Sequence, residues 1–139
     1  MPAKLIIVSN RLPVRVAIKN GKLKLELSTG GLATGLSAIH AKRPSIWVGW
    51  PGIPLDSISW SERRIIEESL ATRNLYPVFL SRSDIDDFYH GFCNSTIWPL
   101  FHYFPEKAHY EEKFWEAYKR VNGLYLKTVL EVLSADHKA

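Results

Sequence analysis

The chain has 139 residues, enough for one domain with a single hydrophobic core. Hydrophobic residues make up 46% and charged residues 23%, a composition that excludes an intrinsically disordered chain. The formal net charge of +4 is small and the basic residues are scattered, so the sequence does not indicate a nucleic-acid-binding surface.

Cysteine content and hydropathy bear on where the protein works. The single cysteine, Cys93, excludes a disulfide within the chain and is compatible with a reducing cytoplasm. The apolar residues 5–8 are too few for a signal-peptide core, and no segment approaches the length of a membrane span. We therefore expect a soluble, cytoplasmic protein that contacts no membrane.

The first predicted elements are a buried strand and a hairpin. Residues 4–9 form a short apolar, β-branched run that opens into a polar segment at Arg11, as strands of a parallel sheet do at their carboxyl ends. Residues 14–18 and 23–27 flank Asn20-Gly21, and this pair between alternating segments predicts a type I′ hairpin turn.

Helices and strands alternate from there onwards. Apolar residues at helical spacing predict a helix over residues 32–40, and residues 46–50 resemble a second buried strand. The pair Ser59 and Glu62 predicts a capping box and a helix that runs to about Arg73.

The last predicted elements are a third strand and two helices. The strand covers residues 76–80, and Ser83 is expected to cap the helix that follows. Residues 110–133 carry an apolar stripe at the α-helical period and predict one long helix. The pattern indicates an α/β, Rossmann-like domain with a mostly parallel sheet, a hairpin and helices on both faces. Because a doubly wound sheet would continue with another strand, we expect residues 1–139 to be an incomplete domain.

Ligands of doubly wound folds bind beyond the carboxyl ends of the strands. Arg11 stands at such an end, and its planar guanidinium suits phosphate or carboxylate, although a surface ion pair is the commoner use of a lone arginine. Gly30 and Gly31 open a helix, where backbone N–H groups approach an anion such as a diphosphate. A tight turn explains the glycine pair equally well.

Aromatic residues are concentrated between residues 88 and 118. Sugar rings stack on tryptophan and tyrosine, but core packing accounts for most residues of such a cluster. Trp98 is the better pocket candidate, because it precedes Pro99, where we expect the helix to break.

Two other groups of polar residues do not indicate sites. His90, Cys93 and His102 match no known spacing of metal ligands. An acidic cluster falls in the first turn of a predicted helix, where the helix dipole favours negative charge; it consists of Asp84, Asp86 and Asp87.

Several motifs in series resemble the beginning of trehalose-6-phosphate synthases, which form glycosyltransferase family 20. They are Ser9-Asn10-Arg11-Leu12-Pro13, Gly30-Gly31-Leu32, Trp47-Val48-Gly49-Trp50-Pro51-Gly52, Tyr89-His90-Gly91-Phe92-Cys93-Asn94, Ile97-Trp98-Pro99-Leu100-Phe101-His102-Tyr103 and Tyr118-Lys119-Arg120-Val121-Asn122. The similarity covers nearly the whole chain, in order and with matching spacing.

The resemblance implies the two-domain GT-B architecture and transfer of glucose from UDP-glucose to glucose 6-phosphate. The transfer retains the anomeric configuration, yields trehalose 6-phosphate and UDP, and uses no metal or other cofactor. By motif position, Arg11 resembles the arginine that binds the acceptor phosphate, and Gly30 with Gly31 resembles the loop against the donor diphosphate. The residues that resemble the walls of the glucose 6-phosphate pocket are Trp47, Tyr89 and Trp98.

The resemblance also implies that residues 1–139 form the acceptor-side, N-terminal domain, without the donor-binding C-terminal domain. No residue of the chain is assigned a catalytic role, and we expect the chain alone to be inactive. An assembly of identical copies of the parent enzyme is compatible with the sequence. Three alternatives stay open: a non-catalytic regulatory subunit of a synthase complex, a sister enzyme for another phosphorylated acceptor such as glycerol 3-phosphate, and, least favoured, a nucleic-acid-binding domain.

Overall fold

The computed structural model describes residues 4–138, with their side chains as far as residue 135. Its strands form two sheets, a parallel one in the order β1-β4-β5 and the antiparallel hairpin β2-β3. The strands are β1 (Leu5–Arg11), β2 (Val14–Lys19), β3 (Lys22–Leu27), β4 (Ser45–Trp50) and β5 (Leu75–Pro77).

The helices lie on both faces of the parallel sheet, which confirms the predicted α/β class. They are α1 (Gly31–Lys42), α2 (Trp60–Ala71), α3 (Arg82–Asp84), a π-helical segment (Ile85–Ile97), α4 (Trp98–Phe101) and α5 (Glu112–Lys138), with short 3-10 turns at Leu55–Ser57 and Pro105–Lys107. None of the helices within residues 4–138 is long and apolar enough to cross a lipid bilayer.

Strand β4 is buried along its whole length and separates two clusters of core side chains. On one face Trp47 packs with the hairpin and with Ile66 of α2. On the other face Val48 and Trp50 pack with Val121 of α5. Successive residues of a strand point to opposite faces, so β4 supplies both clusters.

Local signals in the sequence placed the hairpin and the start of α2 correctly. Asn20 and Gly21 have φ values of 53° and 73°, as both central residues of a type I′ turn require. The hydroxyl of Ser59 accepts from the Glu62 amide, and the Glu62 carboxylate accepts from the Ser59 amide, which is the predicted capping box.

The third strand is shorter than predicted, and a different serine begins the next helix. β5 ends at Pro77, which has no N–H to donate to the ladder between strands. Beyond the strand, the backbone carbonyl of Leu80 accepts from the amide of Leu55. The helix cap is Ser81, not Ser83, and its hydroxyl accepts from the amide of Asp84. Both serines precede an aspartate by three residues, so spacing alone did not distinguish them.

The predicted break before Pro99 is wrong, because the chain stays helical from α3 through α4. Pro99 lies in the first turn of α4, where the pattern of hydrogen bonds changes from π-helical to α-helical. Pro99 has no N–H, so the helical run lacks one backbone hydrogen bond at this change of pattern and stays helical across it.

Candidate functional site

Arg11 is directed by a bulge at the carboxyl end of β1. β1 and β4 pair regularly as far as Val8 and Val48, and the register then shifts so that Arg11 pairs with Trp50. Two residues of β1 therefore stand opposite Gly49 alone. Bulges of this kind re-aim side chains and are frequent beside functional sites.

Gly49 permits the close approach of the two strands at this bulge. A Cβ atom at this position would lie 2.9 Å from the carbonyl oxygen of Ser9 and 3.0 Å from the carbonyl carbon of Arg11. Both neighbours are backbone atoms, which cannot rotate away as a side chain can. The register that presents Arg11 therefore requires glycine in β4.

The guanidinium of Arg11 lies between two aromatic rings. Its central carbon is 5.4 Å from the ring centroid of Trp50 and 5.4 Å from that of Tyr89. Arginine stacks favourably on aromatic faces, and its five N–H donors point along the plane of the group. Arg11 is exposed, so this arrangement holds a cation with donors that face solvent.

Trp47 does not lie in this group, and its assignment as a pocket wall needs correction. Its side chain has no exposed surface, since it points to the face of β4 that packs against α2 and the hairpin. Its indole N–H donates to the hydroxyl of Ser9 (2.8 Å), and that hydroxyl donates to the carbonyl of Arg11 (2.7 Å). Trp47 thus supports the backbone that carries Arg11.

Tyr89 and Trp98 are nine positions apart on the helical run. In an α-helix, at about 3.6 residues per turn, this spacing would place them on opposite sides. The i→i+5 hydrogen bonds of the π-helical segment require more residues per turn, so nine residues complete about two turns and both side chains share a side. Trp98 is 54% exposed and stacks on His102 with 4.1 Å between the ring centroids. Its contact with a sugar stays a prediction.

Gly30 and Gly31 form the N-terminus of α1, as predicted. Gly30 has a φ of 153°, a conformation that favours glycine, and no side chain of the described residues caps the helix. A Cβ atom at Gly30 or Gly31 would meet no described atom within 4 Å. The first N–H groups of α1 are therefore placed as an anion would require, and their binding of a diphosphate stays a prediction.

A cavity of about 200 Å³ connects Arg11 with the approach to this helix. Trp50, Ser28 and Thr29 line it, and Thr29 directly precedes Gly30. Arg15 and Glu26 of the hairpin line it as well. The strand-end arginine and the glycine pair, which the sequence analysis treated separately, thus belong to adjoining parts of one surface.

Sequence reasoning missed Trp50 and Arg15. Trp50 carried a usable signal, because it is the last residue of a buried strand and lies on the opposite face from Trp47. Arg15 carried no such signal, since only the packing of the hairpin against Gly52 brings it to the cavity.

Asp84 and Cys93, where the sequence indicated no site, have structural surroundings. Asp84 accepts from the amide of Ser81 and pairs with Arg120 through Nη2 at 2.7 Å, which confirms that a helix terminus explains its charge. Cys93 is half-buried, and this burial raises the pKa of its thiol.

Comparison with known proteins identifies related sequences. Residues 3–138 match the sequence family described as Glycosyltransferase family 20. A bifunctional trehalose-6-phosphate synthase/phosphatase of Thermoproteus tenax is 45% identical over 136 residues, which are 91% of this chain and 18% of that protein. An alpha,alpha-trehalose-phosphate synthase [UDP-forming] of Aspergillus niger is 42% identical over 129 residues, 91% of this chain and 26% of that protein.

Solved structures share the fold. A UDP-forming alpha,alpha-trehalose-phosphate synthase from Burkholderia xenovorans, in complex with glucose-6-phosphate, superimposes with a TM-score of 0.65 at 26% identity. The match covers 94% of this chain and 26% of that one. An E. coli structure bound with UDP-2-fluoro glucose gives a TM-score of 0.59 at 25% identity, with 94% and 25% coverage. This chain therefore spans about a quarter of the length of these relatives.

Proposed function

The chain belongs to glycosyltransferase family 20, and we propose that it is the acceptor-side part of a retaining glucosyltransferase. The complete enzyme would transfer glucose from UDP-glucose to glucose 6-phosphate and release trehalose 6-phosphate and UDP. The names of the relatives support this assignment, since they are UDP-forming trehalose-phosphate synthases. The substrates are sugar phosphates and nucleotide sugars, which agrees with a cytoplasmic site of action.

The observation that carries the proposal is the position of Arg11. Its guanidinium is held between Trp50 and Tyr89 at the carboxyl end of the parallel sheet, where doubly wound folds bind ligands. A guanidinium that is already oriented loses little side-chain entropy when it binds a phosphate through two N–H groups. We assign Arg11 to the phosphate of the acceptor.

The remaining roles follow from the positions of these residues in the fold. Tyr89 and Trp98 share one side of the helical run and would stack against the apolar face of the glucose ring. Gly30 and Gly31 would place the first N–H groups of α1 against the donor diphosphate. No cofactor is assigned, and the donor sugar would be held mainly by parts of the enzyme that the relatives carry beyond this segment.

Calorimetric titration of glucose 6-phosphate into the chain tests this assignment. We expect binding that is lost with glucose and weakened at least about tenfold by Arg11→Ala, because a charge-assisted pair contributes roughly 1.5–3 kcal/mol. Arg82→Ala is a matched control, since Arg82 is an exposed arginine at the start of α3. Glycerol 3-phosphate that bound as tightly as glucose 6-phosphate would favour the sister enzyme, and equal binding by Arg11→Ala would contradict the proposal.

A further inference from the structure

Tyr125 of α5 connects this helix with the bulge beside Arg11. Its phenol donates to the carbonyl oxygen of Asn10 at 2.7 Å, across 115 residues of sequence. This hydrogen bond ties α5 to β1 at the point where the ladder between β1 and β4 loses its regular register.

The bond from Tyr125 is made beside the candidate phosphate ligand. Asn10 directly precedes Arg11, and Trp50 is paired with Arg11 across the ladder. The ring of Trp50 is also one of the two rings that hold the guanidinium. A displacement of either backbone segment would therefore move Arg11 or the surface on which it rests.

Tyr125 is held in a fixed position by the rest of α5. Arg120 donates through Nε and Nη2 to one carboxylate oxygen of Asp84, at 2.8 and 2.7 Å, and Val121 is fully buried against the sheet. Burial raises the pKa of the Tyr125 phenol, so the group keeps its proton and remains a hydrogen-bond donor at neutral pH.

We propose that Tyr125 is a positioning residue for acceptor binding: its hydroxyl holds the backbone carbonyl of Asn10 and thereby keeps the bulge in the register that presents Arg11 to the phosphate. The nature of the ligand rests on the proposed function, whereas the effect on Arg11 does not. A phenylalanine at this position would keep the ring packing and leave the Asn10 carbonyl without this partner.

Affinity for glucose 6-phosphate, measured by calorimetry, is the first test. We expect Tyr125→Phe to weaken binding about three- to tenfold, which corresponds to the loss of one hydrogen bond. The control is Tyr118→Phe, the same change on the same helix at a tyrosine whose ring stacks on Phe92, and it should leave the affinity unchanged. Equal affinity of Tyr125→Phe and the unaltered chain would overturn the proposal.

A double-mutant cycle separates positioning from a general loss of structure. Arg11→Lys keeps the charge but has no planar group that depends on the Trp50 and Tyr89 rings. If Tyr125 acts through Arg11, Tyr125→Phe should cost clearly less affinity in the Arg11→Lys background. The same loss in both backgrounds would mean that Tyr125 only stabilises the fold.

A measurement without ligand keeps the proposal testable if the chain does not bind glucose 6-phosphate. In NMR spectra, the rings of Trp50 and Tyr89 should shift the side-chain protons of Arg11 away from their values in a disordered peptide. We expect these shifts to decrease in Tyr125→Phe and to persist in Tyr118→Phe. Absent binding with this result would contradict the proposed function alone, whereas unchanged Arg11 shifts in Tyr125→Phe would overturn the positioning role.

Discussion

At the scale of single residues, the two tryptophans of β4 have different tasks although both are almost fully buried. They are three positions apart, so the alternation of a strand sends them to opposite faces. Trp47 packs in the core against α2 and holds the backbone of Arg11 through Ser9. Trp50, at the carboxyl end, is in contact with the Arg11 guanidinium itself.

Gly49 lies between these tryptophans and offers a test of the bulge. Gly49→Ala should lower the free energy of unfolding by about 1–3 kcal/mol, because the new methyl group would overlap backbone atoms of β1. The same change should weaken glucose 6-phosphate binding, since the strands must separate where Arg11 is held. Urea denaturation followed by tryptophan fluorescence measures the first effect.

The matched control for this substitution is Gly123→Ala. Gly123 lies within α5, and a Cβ atom there would meet no described atom within 4 Å. Alanine is the better helix former, so we expect a gain of roughly 0.5–1 kcal/mol. Stability of Gly49→Ala equal to that of the unaltered chain would show that the two strands do not approach as closely as the structure indicates.

At the scale of elements, α5 and the π-helical segment act together to arrange the site. Gly91 of the π-helical segment is so close to α5 that a Cβ atom there would lie 2.5 Å from the ring of Phe114. The pair of Arg120 and Asp84 holds α5 against the start of the same helical run. These contacts fix the position of α5, which carries Tyr125, relative to the π-helical segment, which carries Tyr89.

Removal of this ion pair should therefore be costly. In Arg120→Ala the carboxylate of Asp84, which is only 8% exposed, would lose its cation and keep only its backbone donor. We expect a loss of about 1–3 kcal/mol in the free energy of unfolding, since an acceptor shielded from water is left poorly paired. Chemical denaturation at neutral pH measures it.

An exposed ion pair of α2 is the control for the Arg120→Ala substitution. Arg64 and Glu68 of α2 are 4.0 Å apart, and both side chains are largely exposed. Arg64→Ala should change the stability by at most about 0.5 kcal/mol, as is usual for surface pairs. If the two alanine variants were equally stable, the Arg120–Asp84 contact would not hold the helices together.

At the scale of the whole molecule, many large apolar side chains are exposed. Side chains near the ends of the helical run and along α5 are prominent: Trp98, Phe101, Tyr103, Tyr110, Trp115, Leu126 and Leu130. A second cavity, of about 840 Å³, extends along β5 between α2 and α5. This chain spans 26% of the length of the Aspergillus niger relative, so these surfaces belong to a segment that matches about a quarter of that protein.

The isolated chain should accordingly not catalyse glucosyl transfer. We expect no release of UDP above background from UDP-glucose and glucose 6-phosphate, because the donor would lack most of its binding site. A coupled assay for UDP measures this, with a full-length family member as the positive control. Sustained turnover by the chain alone would contradict the proposed division of the site.

Much of the fold follows from interactions between residues that are close in sequence. The positive φ values of Asn20 and Gly21, the capping box of Ser59 and the buried strand at residues 46–50 depend on a few neighbouring residues, which is why the sequence was sufficient to predict them. Ser81 and Ser83 carry equivalent local signals, and contacts with distant residues decide which of them caps the helix. The amide of Leu55 donates to the carbonyl of Leu80, and Arg120 forms an ion pair with Asp84.

The candidate site likewise has a part that the sequence predicted and a part that only the folded structure showed. The sequence by itself determined that an arginine ends the first strand and that a glycine pair opens the first helix, since each is a property of one short segment. The register shift at Gly49, the two rings around Arg11 and the hydroxyl of Tyr125 join segments that are far apart along the chain. These contacts depend on how the strands and helices pack together, and for this reason only the folded structure showed them.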